Sequence, residues 1–291
     1  MVDRSGDIVE SWGDADRLVM PRSSAKPIQA VPLISSGASE AFELDDVELA
    51  LACASHNGEP VHIDRVLAWL NRLSLGPENL ECGPQYPGFE PAFFDLVTSG
   101  GTSSPQQNNC SGKHSGFLTV CRHLDLPTSG YIDPGHPLQR NHVTAAMEEY
   151  CRFDSSAQTP AIDGCGVPVW EVPLVDLARG WSRLTEPGPG VTLLGAMMAE
   201  PWFVAGTGRS CTRFMTDPRK PVAAKVGAEG VYCAALPDEG VAIALKVRDG
   251  ASRAAEMAME HLLVGLEAVA PTKHPLTNWA GTVVGSLTIQ P

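Results

Sequence analysis

The spacing of apolar residues along the chain changes character twice. Near the start, Asp7-Ile-Val-Glu-Ser-Trp12 and Arg17-Leu-Val-Met20 flank a Gly13-Asp14 turn, a pattern that predicts two short strands joined as a hairpin. From Asp45 the pattern becomes helical. Asp45-Asp-Val-Glu48 has the form of a capping box, and Leu49, Ala52 and Cys53 continue one stripe that ends at about Ser55 to Gly58. Ile63, Val66, Leu67 and Leu70 predict a second helix, Phe117, Val120, Cys121 and Leu124 a third, and a fourth is expected over about residues 136–150. Strand patterns then return. Residues 231–236 and 241–247 frame a Pro237-Asp-Glu-Gly240 loop as a hairpin, a helix follows over about 254–266, and residues 283–289 read as a last strand.

Strands at both ends with helices between them predict an α+β fold in which N- and C-terminal segments share one antiparallel sheet. Helices pack on that sheet, and a helix-rich region of about 58–200 is inserted between its segments, all within a single domain spanning 1–291. The 28 Gly and 24 Pro fit many short elements better than a long bundle.

A chain of 291 residues can bury an ample core without disulfides. Its eight cysteines show no CxxC pair and follow no secretory leader, which points to a reducing, cytoplasmic setting. No apolar run approaches the roughly 20 residues of a membrane span, so a soluble protein with no membrane partner is expected. The formal charge of −13, without a Lys/Arg cluster, argues against nucleic acid and anionic lipid as partners. The pattern does not fix the number of subunits; a homodimer is one assembly it allows.

Candidate chemistry begins at Arg22-Ser-Ser-Ala-Lys-Pro27. Its Ser-x-x-Lys places the Ser23 hydroxyl and the Lys26 amine on one helical face, with Pro27 in the first turn, where backbone N–H groups lack partners anyway. A free lysine holds its proton to a pKa of about 10.4, so a lysine base needs burial or a second cation, and Lys225 is a candidate for that cation. Ser-x-x-Lys at 23–26, Ser-x-Asn at 55–57 and Lys-x-Gly at 225–227 follow the order used by serine β-lactamases and penicillin-binding proteins. Gly112-Lys113 is not a phosphate-binding loop, because the earlier glycine is replaced by Gln107 and His114 follows the lysine. His62, His123, His142, His261 and His274 sit in ordinary amphipathic patterns and read as core or solvated histidines.

Arg22-Ser-Ser-Ala-Lys-Pro-Ile-Gln29, Cys53-Ala-Ser-His-Asn-Gly-Glu59, Asn109-Cys-Ser-Gly-Lys-His-Ser-Gly116 and Asp163-Gly-Cys-Gly-Val-Pro168 together closely resemble the Rhizobium-type L-asparaginase II family. Ala205-Gly-Thr-Gly-Arg209 and Lys225-Val-Gly-Ala-Glu-Gly230 extend the match across nearly the whole chain. The resemblance implies a β-lactamase-like fold and hydrolysis of L-asparagine to L-aspartate and ammonia, with no organic cofactor. It implies Ser23 as nucleophile with Lys26 as base, and Ser55 with Lys225 as a second Ser–Lys couple that relays protons. Arg22, His56 and Asp163 would shape the pocket. Asp163 suits the substrate α-ammonium, and Lys225 or Arg22 its α-carboxylate. The resemblance also implies a zinc site of Cys110, Lys113 and Cys165, although a lysine must lose its proton before it can bind zinc. Relatives usually carry a further segment before the strand that leads to Trp12-Gly13-Asp14, so either an edge strand is missing here or the start was chosen late; an absent strand would leave unpaired backbone on its neighbour. The same Ser–Lys machinery also suits a glutaminase or a β-lactam or peptide amide hydrolase, and a pocket without turnover would make a non-catalytic asparagine-binding protein.

Overall fold

A computed structural model describes residues 1–289 of the chain. At its centre lies a three-stranded antiparallel sheet in which Val231–Leu236 is flanked by Ala223–Val226 and Val241–Lys246. Lys225 stands opposite Cys233, and Ala234 opposite Ile243. Every residue of Val231–Leu236 is buried, because both faces of that strand are covered and none of its side chains has solvent to turn toward. The helices Leu174–Arg183 and Ser252–Gly265 pack on the central and outer strands, and Pro189–Ala199 and Ser210–Thr216 pack on Ala223–Val226. The mixed architecture is the α+β arrangement expected from the sequence, and the turn at 237–240 closes the expected hairpin.

The helix Asp46–Ala52 starts where its capping box places it. The Asp45 carboxylate accepts from the Glu48 N–H at 3.1 Å, and the Glu48 carboxylate accepts from the Asp45 N–H at 3.0 Å. Glu48 is buried, and Arg72 answers its charge at 2.5 Å. The other expected helices are Pro60–Arg72, Ser111–His123, a π turn Gln139–Val143 that runs into Thr144–Cys151, and Ser252–Gly265. Among the described residues no helix is long and apolar enough to cross a membrane.

The expectation of one sheet built from both chain ends needs correction. Residues 7–12 and 17–20 do not pair with each other. The Asp3 carboxylate collects the Ser5 N–H (2.9 Å), the Ser5 hydroxyl (2.6 Å) and the Asp7 N–H (3.0 Å), and this tight loop folds Ile8 back onto Val2. Val2 in turn bridges this segment to the central sheet through Ala242. Leu18–Val19 instead pairs with Val172–Pro173. The last strand, Val283–Ser286, pairs with Pro275–Thr277 as an exposed hairpin outside the sheet. A cavity of about 370 Å³ opens between the N-terminal segment and the outer strand, lined by residues including Ile8, Trp12, Leu174 and Ile243; none of the predicted catalytic residues reaches it.

What matters most for the site is the contact between Asp46–Ala52 and Ser111–His123. A Cβ on Gly112 would collide with the Leu51 carbonyl, so the two helices meet backbone to backbone only because residue 112 is glycine. That contact fixes the end of the helix that leads into Ser55. Gly112→Ala should therefore destabilise the fold by about 1–3 kcal/mol, as overpacking of a core does. Urea unfolding checks this, and an unchanged midpoint would remove Gly112 from the account.

Candidate active site

The segment that carries Ser23 is held under strain. Arg22 adopts a left-handed φ of 52°, a conformation that costs a residue with a Cβ on the order of 1–3 kcal/mol. A 3₁₀ turn, Arg22–Ala25, follows and runs into the helix Lys26–Gln29. In a 3₁₀ turn side chains three apart eclipse, so Ser23 and Lys26 share one face. The turn is pinned from two sides: Ser24 donates its N–H and hydroxyl to the Pro21 carbonyl (3.2 and 2.7 Å), and the buried Trp181 indole donates to the Ser24 carbonyl at 3.1 Å. Pro27 lies in the first turn, where no N–H is needed.

Lys26 does not hydrogen-bond to Ser23. Its ammonium reaches across to Ser55, donating to the hydroxyl at 2.9 Å and to the Ala54 carbonyl. Lys225 arrives from the central sheet and donates to the same Ser55 hydroxyl at 2.8 Å and to the Val226 carbonyl at 2.8 Å. Both lysines are fully buried, and Ser55 nearly so. Burial first, then the charges of Lys26 and Arg209, bring the Lys225 amine down to about 7. Among the described residues no carboxylate pairs with either lysine. Ser23 is half-exposed, and among the described residues neither its hydroxyl nor its backbone N–H makes a hydrogen bond.

Ser55 belongs to a loop fixed by residues far away in sequence. Its N–H donates to the Val204 carbonyl at 2.9 Å. Arg209 donates through Nη1 to the Asn57 side-chain oxygen at 2.8 Å and to the Ser55 carbonyl at 3.4 Å. Asn57 donates to the Thr207 carbonyl at 3.0 Å, and the buried Glu59 carboxylate takes the Thr207 N–H (2.7 Å) and hydroxyl (2.8 Å). Gly206, at φ 107°, allows this closure, since a Cβ there would strike Glu59 and Asn57.

His56 is buried beside Ser55. Its Nδ1 accepts from the Gly58 N–H at 3.1 Å, which leaves Nε2 to carry the proton toward the Ser111 hydroxyl at 2.9 Å. Burial, then His62, Lys26 and Arg209, push it well below the usual histidine range. The ring stacks on His62 at 4.9 Å, and His62 stacks on Trp202 at 4.1 Å; burial lowers His62 to about 4.

Arg22 and Asp163 meet at 2.7 Å, and Arg22 also pairs with Glu229. Asp163 sits in a turn in which its N–H donates to Val167 (2.9 Å) and its carbonyl accepts from Gly166 (2.8 Å), with Gly166 at φ 87°. The same turn carries Cys165, toward which Lys113 donates at 3.1 Å. The Cys110 thiol, then the Lys113 ammonium and the His114 ring, hold the Cys165 thiol well below its ordinary range. His114 Nδ1 faces the Tyr131 hydroxyl at 2.9 Å, whereas its Nε2 is buried without a partner. Among the described residues no three His, Cys, Asp or Glu side chains cluster as metal ligands. Two thiols, an amine and an orphaned imidazole nitrogen nevertheless make a donor set that suits zinc, provided Lys113 gives up its proton.

Ser23, Lys26, Ser55, His56 and Lys225 thus fall in one region, with Arg22 and Asp163 paired to each other. Sequence reasoning missed Glu59, Thr207 and Arg209, and it treated His62 as an ordinary histidine. The signal for three of these lay in motif stretches already noted, Cys53 to Glu59 and Ala205 to Arg209, to whose Glu59, Thr207 and Arg209 no role had been given.

A family model described as L-asparaginase II matches residues 1–289. Among curated proteins none matches the chain.

The lowered Lys225 pKa has a consequence for stability. Unfolded, the amine returns toward its ordinary 10.5, so between about pH 7 and 10.5 the unfolded chain binds the extra proton and folding strengthens as pH rises. Below about 7 the buried ammonium exacts its full penalty. Urea unfolding should give higher stability at pH 9 than at pH 7 in the parent and a smaller difference in Lys225→Met; equal slopes in the two proteins would contradict the assignment.

Proposed function

Because the chain belongs to the L-asparaginase II family, we propose that it hydrolyses the side-chain amide of L-asparagine to L-aspartate and ammonia, with Ser23 as nucleophile. The observation that carries this reading is the convergence of Lys26 and Lys225 on Ser55 in a buried cluster without a carboxylate. In this reading the sheet and its helices are a β-lactamase-like scaffold, and the eight unpaired, buried cysteines suit a cytoplasmic setting.

The Ser23 hydroxyl attacks the amide carbon and passes its proton to Lys26, which shares one face of the turn with it. The carbonyl oxygen becomes negative, and the unpaired Ser23 N–H is a preorganised donor for it. As the tetrahedral centre collapses, the Lys26–Ser55–Lys225 chain delivers a proton to the amide nitrogen, and ammonia leaves an aspartyl ester on Ser23. Water, activated by the same amines, then cleaves the ester. Lys225, brought down to about 7, can release and recover a proton near neutrality, which a solvated lysine cannot do. Asp163 keeps one carboxylate oxygen free of Arg22 and is the group for the substrate α-ammonium.

Cys110, Lys113 and Cys165 would hold a zinc ion, with His114 beside them. Bound there, zinc would supply a fixed positive charge and clamp the Asp163 turn to the helix Ser111–His123.

Purified protein should release ammonia from L-asparagine. Ser23→Ala should abolish turnover, and Lys26→Ala should lower it by at least about 10²-fold, the scale of a lost general base. Turnover of L-glutamine or a β-lactam with none of L-asparagine would reassign the substrate, and calorimetric binding of L-asparagine without ammonia would make this a binding protein. The rate should rise with pH through a midpoint near 7, because protonating Lys225 blocks the relay; a rate that falls over that range contradicts it. Metal analysis should find one zinc per chain in the parent and much less in Cys165→Ser. A parent protein prepared without chelator that lacks stoichiometric zinc would remove the metal from the reading.

A further inference from the structure

An amino-acid substrate brings a carboxylate that must be met by a cation, and five cationic side chains surround this site. Arg22 is already answered by Asp163 and Glu229. Lys113 is directed at the Cys165 sulfur. Lys26 and Lys225 are fully buried, and each already directs two N–H groups at Ser55 and a neighbouring backbone carbonyl. Arg209 differs from all four. It is half-buried, it uses only Nη1, toward two neutral oxygens, and among the described residues no carboxylate pairs with it.

We propose that Arg209 binds the α-carboxylate of the substrate, through the Nε and Nη2 groups that its own hydrogen bonds leave free. This rests on the amino-acid amidohydrolase reading above and replaces Arg22 and Lys225 in the carboxylate role expected from the sequence.

The side chain is well prepared for the task. Its Nη1 is fixed on Asn57 at 2.8 Å, Asn57 is fixed on Thr207 at 3.0 Å, and Thr207 is held twice by the buried Glu59 carboxylate. Glycine at 206 lets this clamp close without a Cβ in the way. A guanidinium held by one nitrogen presents its remaining N–H groups as a planar fork, the geometry that matches a carboxylate bidentately, so little side-chain entropy is lost on binding. Its Nη1 bond to the Ser55 carbonyl, at 3.4 Å, puts the guanidinium against the same residue on whose hydroxyl both lysines converge. The carboxylate would thus dock on one side of Ser55 while the amide faces Ser23.

The test compares L-asparagine with 3-aminopropanamide, which keeps the amine and the amide but lacks the carboxylate. The parent should prefer L-asparagine in kcat/KM. In Arg209→Gln that preference should shrink by about 10- to 100-fold, the range for a lost charge-assisted contact, mainly through KM for L-asparagine, with 3-aminopropanamide little affected. Arg209→Lys should recover part of the preference. Calorimetry should show L-asparagine binding in the parent weakened by a similar factor in Arg209→Gln. If Arg209→Gln lowers both substrates equally, the residue only positions the Ser55 loop and the assignment is overturned. Equal L-asparagine affinity in parent and variant, or no binding by the parent, overturns it as well. Ammonia release by the parent judges the hydrolase reading separately: release with an unaltered preference in Arg209→Gln sinks the carboxylate assignment alone.

Discussion

Two buried lysines share one serine hydroxyl, and among the described residues no carboxylate pairs with either of them. Lys26 and Lys225 both lie within 3 Å of Ser55 Oγ. Two unit charges roughly 5 Å apart at an effective dielectric of about 20 repel by about 3 kcal/mol, and burial adds its own penalty to the Lys225 ammonium. The least costly state is one in which the cluster is short of a proton. In the proposed mechanism, that shortage would let a lysine, ordinarily a poor base near neutrality, take a proton from an alcohol. The site therefore depends on keeping this cluster dry, crowded and free of acidic neighbours.

Much of the fold serves that condition. The central sheet delivers Lys225 from a strand whose residues are all buried, so its amine is shielded from bulk solvent. The Trp181 indole and the Pro21 carbonyl hold the 3₁₀ turn that presents Ser23 and Lys26. Gly112 brings Ser111–His123 against the helix that leads to Ser55, and Glu59, Thr207 and Arg209 secure the loop beyond it. Strain at Arg22 is tolerated because its guanidinium is held by two carboxylates. Those same carboxylates leave it little capacity to attract a third.

Features written in contiguous residues were legible in the sequence. The capping box at Asp45 and Glu48 and the 231–246 hairpin follow from short-range rules, and the structure has both. Partners separated by long stretches of chain were not legible. Spacing puts Lys26 on the same face as Ser23, but only tertiary packing shows that its ammonium goes to Ser55. Arg209 and Asn57 are about 150 positions apart, and nothing local in either announces the pair. The N-terminal hairpin failed for a related reason: Gly13-Asp14 is a good turn signal, but the Asp3 carboxylate closed a tighter loop and left Leu18–Val19 to a partner at Val172–Pro173. His62 looked ordinary because its partner in the stack, Trp202, lies 140 positions away.

The proton shortage at the Lys26–Ser55–Lys225 cluster is most directly tested by following the side-chain nitrogens of labelled lysines by NMR as pH is varied, with Lys225→Met used to assign the signal. The account predicts one lysine nitrogen that titrates near pH 7 and disappears from the spectrum of the variant. A protein in which every lysine stays protonated through pH 9 would contradict it.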